Sequence, residues 1–256
     1  MKIGIVGLGL IGGSIFKALG EFHEIIGISN SQKNSQENIT DDLNALKECE
    51  IVFVATHMNK TVKILEELNE ILDENTVVAD VCSLKEFVCQ KEYKFNFVPT
   101  HPMAGTEKTG FENSFKELFQ GAKWVICKKP CPENLKKVIE QMGTEIIFAT
   151  PKEHDEAVAL ISHMPMVLSQ ALFKSVEDNK LALRLASSGF RDMTRLALSS
   201  EEMAEDMVNM NYKNIQNSIL KFYSSVGELI KNDYRNKICE IKQERLKMYK
   251  DGKNIL

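Results

Sequence analysis

Residues 2–14 read Lys2-Ile3-Gly4-Ile5-Val6-Gly7-Leu8-Gly9-Leu10-Ile11-Gly12-Gly13-Ser14, and this stretch carries the architecture of the first half of the chain. Five residues of buried-strand character run straight into a Gly-x-Gly-x-x-Gly turn, and an apolar helical pattern follows over about Ile11 to Leu19. Each glycine has a separate job. Gly7 permits the tight turn, Gly9 lets backbone approach an anionic group, and Gly12 lets the helix pack on the strand. The helix N-terminus then points its free N–H groups at that anion. A glycine turn alone is a weak signal, and its position between a strand and a helix is what gives it weight. The reading places a dinucleotide pyrophosphate on Gly7, Leu8, Gly9, Leu10, Ile11 and Gly12.

Working outward, Glu24 to Ile28, Ile51 to Ala55, Val77 to Asp80, Phe95 to Val98 and Trp124 to Cys127 are apolar runs of strand length. Helical patterns lie between several of them, as in Thr61 to Leu72, where Val62, Leu65, Leu68 and Leu72 share a face. Alternating strands and helices predict a doubly wound parallel sheet of Rossmann type over 1–150. The pattern changes at Thr150-Pro151-Lys152-Glu153, which combines a capping Thr, a Pro at the first helical position and a Glu at the third. From 151 to 256 helical periodicity predominates, so the expected fold is α/β followed by an all-helical domain. That domain is small and rich in apolar positions. It is expected to complete its core against a second copy, making a homodimer.

Composition narrows the function classes. The chain has 256 residues, 43% hydrophobic and 27% charged, which is globular in character, and its net charge of −4 offers no general attraction to nucleic acid or to an anionic membrane. Glycines interrupt the apolar N-terminus, which argues against a secretory leader and for a cytoplasmic protein. The six cysteines are scattered without a Cys-x-x-Cys pair, so reduced structural thiols and no metal are expected.

The second strand ends Ile28-Ser29-Asn30-Ser31-Gln32-Lys33. The carboxylate that binds a ribose 2′-hydroxyl in NAD sites is missing, and Ser29 stands in its place. Ser29, Asn30, Ser31 and Lys33 are therefore candidate contacts to a 2′-phosphate, although no arginine occurs before Arg184. The reading leans to NADP and leaves NAD open. Ala55 and Thr56, at the end of the third recognised strand, complete the cofactor set.

Ligands of open α/β sheets bind beyond the carboxyl ends of the strands. Two polar motifs fall there: Asp80-Val81-Cys82-Ser83-Leu84-Lys85, and His101-Pro102-Met103-Ala104-Gly105-Thr106-Glu107-Lys108-Thr109-Gly110. A histidine just past a strand end near a nicotinamide suits proton acceptance during hydride transfer. Ser83-x-x-Glu86 also fits a capping box, so Ser83 is expected to start a helix as well as to present a hydroxyl.

These blocks, with Ser162-His163-Met164-Pro165 and Gly189-Phe190-Arg191-Asp192-Met193-Thr194-Arg195, occur in an order that resembles the prephenate/arogenate dehydrogenase family of tyrosine biosynthesis. The resemblance spans nearly the whole chain. It implies oxidative decarboxylation of prephenate to 4-hydroxyphenylpyruvate, or of arogenate to tyrosine. It implies that His101 takes the ring hydroxyl proton, Ser83 orients His101, Arg195 binds a carboxylate, His163 assists, and Thr106 and Glu107 line or gate the pocket. All five arginines fall at or after Arg184, in the helical half, which suits a dicarboxylate substrate. His154 reads as structural, and His57 as a neighbour of the cofactor. The family often carries a Trp shortly after the Arg motif, whereas this chain has Ser200-Glu201-Glu202-Met203-Ala204. Its length leaves no space for an appended regulatory domain, so any inhibition is expected at the active site or the dimer interface. The rival readings are another Rossmann hydroxyacid dehydrogenase or imine reductase, and a silent dinucleotide sensor. The His101 block discriminates against the first, and the joint presence of His101, Ser83 and Arg195 against the second.

Overall fold

The computed structural model describes residues 1–33, 35–106, 108–231 and 233–248. Eight strands form one sheet: β1 (Lys2–Val6), β2 (Glu24–Ile28), β3 (Ile39–Thr40), β4 (Ile51–Val54), β5 (Val77–Asp80), β6 (Asn96–Pro102), β7 (Lys123–Ile126) and β8 (Glu145–Phe148), ordered β3-β2-β1-β4-β5-β6-β7-β8. Helices α1 (Leu10–Leu19), α2 (Met58–Ile71) and α3 (Glu133–Gln141) provide its crossovers. Alternation along the strands divides two cores. Ile51 and Phe53 of β4 pack with Ile15, Leu19 and Val138 from α1 and α3, while Val52 and Val54 pack with Leu65 and Leu68 of α2. A sheet covered on both faces demands strands apolar on both faces, which is why these runs read as continuous rather than alternating.

The sheet is not wholly parallel. β6 and β7 pair antiparallel, with His101 opposite Val125, and β7 and β8 then pair parallel. A parallel connection needs a crossover element, and 103–122 supplies only short 3-10 turns, so the chain returns beside β6 in the opposite sense. Helix α3 restores a crossover between β7 and β8. Two more expectations are corrected. β6 runs on through Pro102, so His101 lies within the strand rather than just after it. No helix starts at Ser83, since residues 81–87 form an irregular loop ahead of a short turn at Val88–Gln90. Between β2 and β4 the described residues form no α-helix, only the two-residue β3 and a 3-10 turn at Leu43–Leu46.

After the sheet come α4 (Pro151–Val158), a π turn (Ala159–His163), α5 (Met164–Val176), α6 (Lys180–Leu185), α7 (Ser188–Met193), α8 (Glu201–Met210), α9 (Tyr212–Lys231) and α10 (Tyr234–Met248), with no strand among the described residues. The Thr150 side chain accepts from the Glu153 N–H while Glu153 reaches back to Thr150, forming the expected capping box. Pro165 explains the π turn. It has no N–H to give the Ile161 carbonyl, so the turn ahead of it widens and Met164 N–H bonds Ala159 O. Nine residues of regular helix rotate by roughly 900°, which would set His163 opposite His154; one extra residue in a turn brings the pair back to roughly 80° apart. Both are buried, at 3% and 1% exposure.

Candidate active site

Gly7, Ala55, the 81–86 loop and His101 follow one another along a single edge of the sheet, at the carboxyl ends of β1, β4, β5 and β6. The strand order reverses between β1 and β4, which makes that end the expected ligand crevice. The glycine turn is shaped by close backbone contact. Gly7 has φ +92°, and a Cβ there would lie 2.5 Å from the Ala55 carbonyl oxygen. A Cβ on Gly12 would lie 1.9 Å from the Gly7 oxygen. A Cβ on Gly9 would meet nothing within 4 Å, so the space above it is open. Gly9 caps α1 without a side-chain bond, and no acidic residue occupies the first turn. Leu8 is buried, whereas Leu10 and Ile11 are half-buried at the helix start. This open cradle, edged by helix N–H groups, fits a dinucleotide pyrophosphate.

At the end of β2 the Ser29 N–H bonds the Thr40 carbonyl, and the Ser29 hydroxyl lies 3.3 Å from that of Ser31. Asn30, Ser31 and Lys33 are exposed. Lys33 is paired with Asp41 at 2.9 Å, a carboxylate that β3 brings alongside the end of β2. Thr56 bonds Thr61 at 3.0 Å, tying the end of β4 to α2.

The polar cluster around His101 draws on both halves of the chain. Beneath it, Lys85 is fully buried and pairs with the fully buried Asp80. Asp80 also accepts from the N–H groups of Cys82 and Thr100. Lys85 further donates to the Thr100 carbonyl, so the pair pins the 81–86 loop to β6 one residue before His101. From above, the Asp155 carboxylate of α4 accepts from the Lys85 N–H at 2.8 Å and the Glu86 N–H at 2.9 Å. The same carboxylate bonds His154 Nδ1 at 2.7 Å, and His154 Nε2 lies 2.9 Å from His101 Nδ1. His154, read from the sequence as structural, is therefore the ring that meets His101. The available signal was its adjacency to Asp155 at the start of a capped helix.

His163 sits on the same helix face. Asn211 donates to its Nδ1 at 3.2 Å and to the Asp155 carbonyl at 3.0 Å. Burial is the main cause that holds His163 down at about 4, and burial with the nearby His154, Lys85 and His163 holds His101 well below the ordinary imidazole value.

The remaining site residues lie apart from this network. Ser83 is half-buried between buried Cys82 and Leu84. Thr106 is exposed on the loop after β6 and accepts from the Lys108 N–H, and Glu107 lies outside the described residues. Arg195 is exposed at the start of a short turn, Arg195–Leu198, that packs on α5. Its neighbour Leu196 packs on the cluster holding Cys82 and Leu84. His57 faces Glu202 of α8 at 3.6 Å.

Fold and site together define a class: a dinucleotide-binding sheet domain joined to a helical domain that contributes buried polar groups at the sheet's carboxyl edge. The chain belongs to the prephenate dehydrogenase family. The family model described as "Prephenate dehydrogenase, nucleotide-binding domain" matches residues 13–148, and "Prephenate dehydrogenase, dimerization domain" matches 150–244. The chain is 32% identical over 234 residues to the prephenate dehydrogenase of Bacillus subtilis, covering 81% of this chain and 63% of that protein, which is thus the longer of the two. Among solved structures it resembles Synechocystis arogenate dehydrogenase, with TM-score 0.81 and 30% identity over the whole of both chains. It also resembles the prephenate dehydrogenase of A. aeolicus, solved with hydroxyphenyl propionate and NAD+, with TM-score 0.84 and 26% identity over 97% of this chain and 98% of that one.

Proposed function

We propose that the chain is an NAD(P)-dependent dehydrogenase that converts prephenate to 4-hydroxyphenylpyruvate by oxidative decarboxylation, with arogenate as the alternative substrate. The carrying observation is the position of His101. It stands at the carboxyl edge of the sheet, on the same edge as the open glycine turn, with Nδ1 engaged by His154 and its ring held neutral by burial. The bound dinucleotide would supply the hydride acceptor. His101 Nε2 takes the ring hydroxyl proton as the hydride leaves the same ring carbon. Cleavage of the bond to the ring carboxylate releases CO2 and returns its electron pair to the ring, and the proton goes back to the phenolic oxygen. Ser83, at the neighbouring strand end, is assigned to the hydroxyl. His163, Thr106 and Glu107 are assigned to the pocket, and Arg195 to a substrate carboxylate, which guanidinium binds in bidentate fashion. Gly7 to Gly12, Ser29 to Ser31, Lys33, Ala55 and Thr56 are assigned to the cofactor. Ser29 and Lys33 favour a 2′-phosphate, and Asp41 opposes it.

The same proposal makes the protein a cytoplasmic homodimer with domains at 1–150 and 151–256. Pro151–Val176 is one continuous helix, long and apolar enough by composition to cross a membrane, with mean hydropathy 1.3. Its buried His154, Asp155 and His163 are bonded into the site. Its exposed Ile161 and Phe173, with Leu185, Leu220, Tyr223 and Ile230 of neighbouring helices, offer the apolar surface that a second copy would cover.

Steady-state kinetics of two variants test the assignment. His101→Asn is expected to lower kcat by about 10²–10⁴-fold, the loss of a general base, with cofactor affinity kept. Arg195→Gln is expected to raise the substrate KM. Normal turnover by the first variant removes His101 from the chemistry, and an unchanged KM in the second removes Arg195 from carboxylate binding.

A further inference from the structure

Asp155 stands at the centre of two hydrogen-bonded lines, one running to His101 and the other to the buried His163. Its carboxylate is anchored by two fixed donors, the N–H groups of Lys85 and Glu86, so both oxygens act as acceptors. Oδ1 therefore also accepts from His154 Nδ1–H. With one proton on each ring, His154 Nε2 is then a lone pair and must accept from His101 Nδ1–H. That leaves the lone pair of His101 on Nε2. The second line starts from the Asp155 carbonyl, which accepts from the Asn211 amide. The same NH2 group donates to His163 Nδ1, so the proton of neutral His163 sits on Nε2. The outcome is opposite tautomers: an acceptor nitrogen left on His101 and a donor nitrogen left on His163.

We propose that Asp155 and His154 are positioning residues that fix His101 as the Nδ1–H tautomer, ready to take a proton at Nε2, while Asn211 fixes His163 as the Nε2–H donor. This rests on the proposed function in so far as it assigns His101 the hydroxyl proton. The chemistry suits that division: a base must present a lone pair, and an Nε2–H on His163 suits a pocket for an anionic substrate. The arrangement also requires the junction between the halves of the chain to be intact, since Asp155, His154 and Asn211 come from the helices, and the Lys85 and Glu86 N–H groups from the sheet.

The test begins with the unmodified protein. Two-bond proton–nitrogen correlation spectra of histidine-labelled enzyme read the tautomer of each ring, and the chain has only five histidines. His101→Asn and His163→Asn assign the signals. The expected result is Nδ1–H for His101 and Nε2–H for His163. A proton on His101 Nε2 overturns the proposal, whatever the activity. Kinetics with prephenate then follow the consequence. His154→Phe keeps a planar ring without nitrogen and is expected to lower kcat by roughly 10–100-fold, a part of what a general base contributes, with KM and cofactor affinity within about threefold. His154→Gln, which can accept and donate at once, is expected to restore most of the loss. A folded His154→Phe enzyme with wild-type kcat overturns the positioning role, and if that variant does not fold, the spectrum of the unmodified protein decides. Failure of the underlying function reading looks different: His101→Asn would then itself turn over normally.

Discussion

The glycine turn and the His101 cluster sit on one edge of one sheet but are built from different materials. The turn is made of backbone: Gly7, Gly9 and Gly12 act through what they lack, and the contacts that require them lie within the turn and at Ala55. The cluster is made of side chains from β5, the 81–86 loop, β6, α4 and the residue that ends α8, mostly buried and hydrogen-bonded to one another across 50 and more residues. A backbone device tolerates wide change around it and fails at one atom. A buried polar network fails wherever one member leaves a partner unpaired.

The largest expected effect breaks the cluster. Lys85→Met leaves the Asp80 carboxylate buried without its cation and should cost about 3–5 kcal/mol of unfolding free energy in urea titrations. The double variant Asp80→Asn with Lys85→Met should recover most of it, and a single variant as stable as wild type would show that the pair does not hold the loop. The turn supplies the next test. Gly12→Ala forces a methyl group into the Gly7 carbonyl and should lose about 1–3 kcal/mol of stability together with dinucleotide binding. Gly9→Ala meets no protein atom, so its unfolding midpoint should match wild type while its dinucleotide affinity falls. If Gly9→Ala binds normally, the cofactor does not pass over the turn.

Acid sharpens the contrast, because only the cluster titrates. His101 and His163 are held below their usual 6.5, His163 at about 4, with burial the largest cause for each. The unfolded chain therefore binds more protons than the folded one below pH 6.5. This contribution to stability is complete above 6.5 and is lost as pH falls from 6.5 toward 4. Tm measured across that window should drop, and His163→Gln should flatten the drop. A Tm that rises on acidification would contradict the buried neutral rings. The smallest effect concerns the cofactor's far end. Asp41→Asn releases Lys33 and should shift the NADP-to-NAD affinity ratio toward NADP by about two- to fivefold, less at high salt. No shift would place the 2′ position away from Lys33.

The same contrast explains what could be read from the sequence. β1, β2 and β5 are found at the predicted residues because continuous apolar runs need only local pattern. The capping box at Thr150 was legible for the same reason. The reversal at β7 was not, since an antiparallel return depends on what the 103–122 segment fails to form. β3, with two residues, is too short to show a period. At the site, residue types were legible and partnerships were not. His101 stood out beside Pro102, but its contact with His154 joins residues 53 apart, with only the adjacent Asp155 to hint at it, and the placing of His163 on the same helix face depends on the π turn ahead of Pro165. Ser83-x-x-Glu86 had the form of a cap, yet the Lys85 and Glu86 N–H groups are taken by Asp155, which lies 70 residues further along.

The central claim is that this edge of the sheet oxidises and decarboxylates a hydroxylated cyclohexadiene. The most direct measurement is the near-ultraviolet absorbance of reduced nicotinamide, using purified protein with prephenate or arogenate and NAD or NADP in all four combinations. Growth of that signal with release of CO2 in at least one combination, abolished in His101→Asn, is the predicted result. Folded protein that binds dinucleotide yet gives no signal in any of the four would contradict the account.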